Sequence, residues 1–192
     1  RHPPGERRLA DPLRSLDQNG VMAFADTVGS PAHVGYSFAS VDAVAATQRI
    51  VPHLLRAESV ALQQFADGYV RGCLRRGDWD WVDSVDTAGW SADDIARFLM
   101  SLPFESETWK RVECMLEGEA RLYWRNVTVN PYQPSENLRV AIDRLLEFGR
   151  PRAAIDCLAR QIRDDSPLDG STAIEALLAA VGSDEPIYSL HT

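Results

Sequence analysis

Lys110 is the only lysine in a chain whose other 19 basic residues are arginines. Any chemistry that needs an amine, whether a Schiff base or the lysine of a phosphate loop, therefore rests on one position. That position lies in Glu-Thr-Trp-Lys-Arg-Val-Glu (107–113), which reads as the middle of a helix, with no glycine-rich loop before it. The small residues of 28–35, Val-Gly-Ser-Pro-Ala-His-Val-Gly, lack a following Gly-Lys-Ser/Thr and read as a turn. Cys73, Cys114 and Cys157 are far apart and odd in number, so they form neither a disulfide framework nor a CxxC ligand pair. Each sits beside apolar residues, and all three are expected to be buried thiols in a reducing, cytoplasmic setting. His33 and His53 are widely spaced, His2 and His191 lie near the ends, and HExxH, EF-hand and GxSxG patterns are absent. No metal, cofactor or catalytic set is expected.

Carboxylates are the remaining chemical candidates. Between 78 and 119 they outnumber Lys and Arg by 11 to three. Paired acids can perform acid and base steps when their surroundings separate their pKa values. Here they fall at joints and outer helix positions; Asp93 and Asp94, for instance, suit the positive end of a helix dipole.

Contact chemistry is better represented. Trp79, Trp81 and Trp90 lie near joints, and the run Asp-Trp-Asp-Trp-Val-Asp (78–83) alternates acids with rings in a way that suits a basic partner. Trp109 and Trp124 sit at helix-packing positions and are assigned to the core. Arg139, Arg144, Arg150, Arg152, Arg160 and Arg163 outnumber Asp143, Glu147 and Asp156 in the same interval. This local positive stretch can steer an acidic peptide, or lace its own helices together. Nucleic acid is a weaker partner for it, because the formal charge is −8 and no base-reading helix or aromatic platform is identifiable.

The elements that must position these residues repeat at about 3.6. Leu62, Phe65, Ala66, Tyr69, Val70 and Cys73 make one stripe, and Ile95, Phe98, Leu99 and Leu102 a second. The spacing predicts helix pairs at 12–28 and 31–41, 58–75 and 79–86, 92–102 and 106–116, and 137–148 and 152–163, with further helices at 42–50 and 118–127. Pro52 is expected to end the 42–50 helix. Caps are expected at Ser30-Pro31, Asp78, Ser91 with Asp94, Ser106 and Arg150-Pro151. Thr172 with Glu175 forms a capping box before the stripe Ile174, Leu177, Leu178 and Val181. No series of strands competes.

With 192 residues, 45% of them hydrophobic and 25% charged, the composition is that of a folded globular chain. Residues 1–11 and 182–192 are expected to be flexible tails around one domain at 12–181. No apolar run approaches the length of a membrane span or a signal peptide. The chain begins at Arg1, and it is read as part of a larger, bacterial polypeptide.

The stretch 138–162 resembles a degenerate tetratricopeptide-like or HEAT-like helix pair. Gly149 suits its tight turn, Ala154 the close helix approach and Leu158 the large second-helix side chain. Ala141 and Ile142 depart from the large residue followed by glycine usual in tetratricopeptide units, and Ser166 stands where their proline is expected. A looser resemblance covers 12–181. It implies an all-α, right-handed α-solenoid-like stack of antiparallel helix pairs with a protein-binding concavity. The expected function is a noncatalytic protein-interaction or scaffolding segment, whose partner is a protein, a peptide or a neighbouring domain of the same polypeptide. Its contact residues are Trp79, Trp81, Trp90, Arg139, Arg144, Arg150 and Arg152. A nucleic-acid-associated regulatory module and an unrecognised enzyme are the alternatives.

Overall fold

In the computed structural model the described residues are 18–25, 27–39, 47–131, 138–164, 167 and 169–185. Among them are ten helices and no strand, so the fold is all-α, with neighbouring helices packed antiparallel. The chain divides into two compact units, one ending at Leu102 and the other starting at Pro103. The expected tail at 1–11 lies outside the described residues.

The first unit contains α1 (Gln18–Ala25), α2 (Pro31–Ala39), α3 (Thr47–Arg56), α4 (Val60–Ser84) and α5 (Ala92–Met100). Its closest pairing is α2 on α4, and the reason is steric. A Cβ on Gly68 would lie 1.9 Å from the Ala32 carbonyl oxygen, and one on Gly35 would lie 2.1 Å from that of Phe65. The two backbones touch where side chains are missing, and Phe38, Phe65 and Tyr69 close the buried space beside them.

One expectation changes here and another is met. The helix expected at 42–50 is α3, and it runs through Pro52 to Arg56. Pro52 forfeits one ladder hydrogen bond, while its ring is buried beside Val51 and Leu54, which are themselves fully buried. The helices expected at 58–75 and 79–86 are both present: α4 is two helical segments that meet at Asp78, whose backbone is non-helical, with φ 53° and ψ −158°. Asp78 does cap the second part: its Oδ1 accepts the Trp79 N–H at 2.9 Å.

Ser91 caps α5 as expected, its Oγ accepting the Asp94 N–H at 3.2 Å, while Asp94 Oδ2 accepts the Ser91 N–H at 3.0 Å. Asp94 is only 2% exposed and also binds Arg56, whose Nε donates to Oδ1 at 2.7 Å. The Arg56 hydrogen bond holds the Asp94 carboxyl well below the usual carboxylate range, against the opposing effect of burial. One side chain thus caps α5 and ties it to α3.

The second unit contains α6 (Ser106–Met115), α7 (Arg121–Trp124), α8 (Leu138–Glu147), α9 (Pro151–Arg163) and α10 (Gly170–Val181). At its entrance Phe104, Trp109, Tyr123 and Trp124 form a nest, with ring centroids 5.0 Å apart for Phe104–Trp109 and 5.1 Å for Tyr123–Trp124. The assignment of Trp109 and Trp124 to the core holds. The indole N–H groups of both and the Tyr123 hydroxyl are buried without a hydrogen bond of ordinary geometry. Burial pushes the Tyr123 hydroxyl well above its ordinary range, with Trp109 pulling the other way.

Other boundaries differ from the sequence reading. α7 has four residues instead of the ten expected at 118–127, and Gly118, at φ 72°, lies outside helical geometry before it. Ser106 begins α6 without capping it; Glu105 is the N-cap and gives no side-chain acceptor. Cys114 is exposed, whereas Cys73 and Cys157 are buried. The buried face of α6 is Thr108, Trp109 and Val112, and a residue two places beyond Val112 points to the other side of a helix.

α8 and α9 are joined through Gly149, at φ 75°, and α9 packs between α8 and α10. Ala141, Ile142, Leu145, Ala154 and Cys157 are fully buried between them. Among the described residues no helix is long and apolar enough to cross a membrane.

Candidate interaction surface

α10 is placed against the protein by its small side chains. Thr172 and Ala176 are buried and Ala173 and Ala180 half-buried, which sets the face with spacing i, i+4, i+8 toward α9. The large apolar residues occupy the opposite face. Ile174 is 60% exposed, Leu177 57%, Leu178 71% and Val181 89%. A helix of an isolated domain ordinarily buries its large residues and exposes its small or polar ones. α10 is inverted.

The start of α10 is firmly held, so the inversion is not a loosely attached end. Asp169 is its N-cap, its Oδ1 accepting the Ser171 N–H at 3.0 Å and its Oδ2 accepting the Thr172 hydroxyl at 2.9 Å. This replaces the expected capping box, since the Thr172 hydroxyl is already donating to Asp169 and the helix begins before it. Arg139 Nη1 donates to Asp169 Oδ2 at 2.8 Å, tying the cap to α8. Hydrogen bonds from Ser171, Arg139 and Thr172 hold the Asp169 carboxyl well below its usual range.

The arginine series falls in this unit, and carboxylates or carbonyls meet most of it. Arg139 bridges Asp143 and Asp169, Arg144 bridges Glu147 at 2.6 Å and Glu113 at 3.0 Å, and Arg160 pairs with Asp164 at 2.7 Å. Arg150 and Arg152 converge on Glu185. Arg150 Nε donates to Glu185 Oε1 at 3.1 Å and Arg150 Nη1 to the Val127 carbonyl at 2.6 Å. The Arg152 side chain donates to the Glu185 carbonyl. Of the expected tail at 182–192, residues 182–185 are described, and Glu185 anchors them. The series is thus largely lacing between α8, α9 and the segment after α10.

Beside this joint is a cavity of about 800 Å³, lined by Arg125, Val127, Phe148, Arg150, Arg152 and Asp156 among others. Burial, and then the charge of Glu185, push the Asp156 carboxyl up. Burial pushes the neighbouring Cys157 thiol up to about 12, which leaves it a protonated core residue at neutral pH. No described His, Cys, Asp and Glu residues cluster in threes in a way that could hold a metal.

The tryptophans expected at the surface belong to the first unit. Trp81 is 5% exposed and packs on Phe98 with ring centroids 6.1 Å apart, so it is a core residue and not a contact residue. Beyond the break at Asp78 both Trp81 and Val82 are buried, Trp81 against Phe98 of α5. Trp79 is half-buried, and half-buried Trp90 stands edge-on to Phe98 at 5.7 Å.

Sequence reasoning identified the α10 stripe but not the side on which it would lie. The signal was the complementary row Thr172, Ala176 and Ala180 on the other face. The chain matches no family model, no curated protein and no solved structure.

Proposed function

We propose that this chain is a noncatalytic protein-interaction or scaffolding segment of a larger protein, built as a solenoid-like stack of helix pairs. The single observation that carries the reading is the inverted α10, which presents Ile174, Leu177, Leu178 and Val181 to solvent. Fully covering one such side chain is worth about 1.5–3 kcal/mol, so a face of four is a large reserve of binding energy on one helix. A contiguous exposed apolar patch on a folded chain marks a contact site.

The α8–α9 pair supports the tetratricopeptide-like reading of the repeat. Gly149 takes the positive φ that a tight joint needs, and Ala154 and Leu158 are buried. The nucleic-acid alternative loses support, because Arg139, Arg144, Arg150 and Arg160 spend their charge on the chain's own carboxylates.

A photo-reactive amino acid placed at 178, in the chain as it occurs in its native cell, tests this function. The expected result is a discrete protein adduct, or a crosslink to another domain of the same polypeptide, that a probe at exposed Glu117 does not give. Equal, diffuse labelling from both positions overturns the reading.

A further inference from the structure

We infer that the α10 stripe is the seat of a partner's amphipathic helix whose apolar face is flanked by lysine or arginine. This rests on the interaction reading above and specifies the partner's chemistry. The argument for a helix is the spacing. Residues 174, 177, 178 and 181 follow i, i+3, i+4, i+7 and form one ridge about two turns long, the form that a second helix receives between its own ridges. A strand would meet this row only at separated points.

The argument for positive flanks is the charge around the ridge. Among the described residues after Arg163, Asp164, Asp169 and Glu185 are met by arginines, and Glu175 and Asp184 are the acids beside the ridge. Exposed Glu175 lies along the stripe and exposed Asp184 lies just past its end. Val181, the most exposed member of the row, lies at the carboxyl end of α10, whose last turn carries no basic side chain. A partner cation placed there meets Asp184. A second copy of the same face is disfavoured, because its own flanks are Glu175 and Asp184, acids where a cation is called for.

The test uses the intact chain and three synthetic peptides labelled for fluorescence anisotropy. The first has a leucine face at the same spacing with lysine and arginine flanks, the second has the same face with glutamate flanks, and the third has the composition of the first scrambled. The first is expected to bind with micromolar affinity that weakens as salt rises. The acidic version should bind at least about tenfold more weakly and the scrambled version no better than the acidic one. Leu178→Glu should weaken the first peptide by about tenfold or more with the circular dichroism unchanged, since residue 178 touches solvent. Glu175→Lys should narrow the gap between basic and acidic peptides. Equal binding of the acidic or scrambled peptide, or indifference to Leu178→Glu, overturns the inference. So does self-association, seen in sedimentation, that Leu178→Glu abolishes, or a crosslink from 178 to residues 18–102 of the same chain. Capture of a protein by the probe at 178 with no peptide bound leaves the interaction function standing and this partner chemistry refuted.

Discussion

Glu185 accepts the backbone N–H of Arg152 at 2.7 Å across 33 residues of sequence. Arg150, the N-cap of α9, supplies no side-chain acceptor, so a carboxylate from the segment after α10 fills the role that a local serine or aspartate normally holds. The Arg150–Glu185 pair is nearly buried, with side chains 12% and 5% exposed. The α8–α9 joint and the segment leaving α10 are therefore one structural unit.

Glu185→Ala removes both the remote cap and the partner of a nearly buried guanidinium. The expected loss is about 3 kcal/mol, measured by urea unfolding. Glu185→Gln keeps an acceptor for the Arg152 amide and should lose less. A loss under about 0.5 kcal/mol in Glu185→Ala would mean that the contact is dispensable.

Gly68→Ala places a methyl group where the Ala32 carbonyl stands, so α2 and α4 must separate. Overpacking outweighs the roughly 1 kcal/mol that alanine adds to a helix, and the expected net loss is about 2 kcal/mol with a lowered Tm. Gly29→Ala, where a Cβ meets nothing within 4 Å, is the control and should be near neutral.

Asp94→Asn tests the junction of α3 and α5. Asp94 titrates below its unfolded value in the folded chain, so its contribution is present above the ordinary carboxylate range and is lost as pH falls through the folded value. The variant should be about 2–3 kcal/mol less stable at pH 7. The difference from the parent should shrink below about pH 4, as the unfolded-state carboxyl gains its proton. A stability gap that stays constant to pH 2 would contradict this assignment.

Tyr123→Phe removes a buried hydroxyl that has no hydrogen bond of ordinary geometry. Stability should be unchanged or raised by up to about 1 kcal/mol, whereas a satisfied tyrosine would lose about that much. Thermal unfolding by calorimetry distinguishes the two signs.

Most helices were legible because their apolar stripes and caps are local. Ser91 with Asp94, Pro151 at the first turn of α9 and Gly149 at the joint each act within a few residues of where the sequence shows them. What was hidden depends on partners far along the chain. Pro52 ends a helix by local rules, yet α3 passes through it with the ring buried. The arginines read as a positive surface until Glu185, Asp169 and Glu113 are placed against them. Trp81 reads as a surface ring until Phe98, 17 residues further along, is placed against it. The α10 stripe was visible as a pattern, but periodicity states only that two faces differ. The small row on the opposite side decides which of them faces α9.

The distribution of the three thiols makes the chain its own unfolding reporter. Cys114 is open to reagent, Cys73 is sealed in the unit ending at Leu102, and Cys157 is sealed in the unit that follows. A thiol-reactive dye should therefore tag one position at once and the other two only as fast as their surroundings open. Mass spectrometry of the tagged peptides would time each half of the molecule separately, without adding a label or changing a residue.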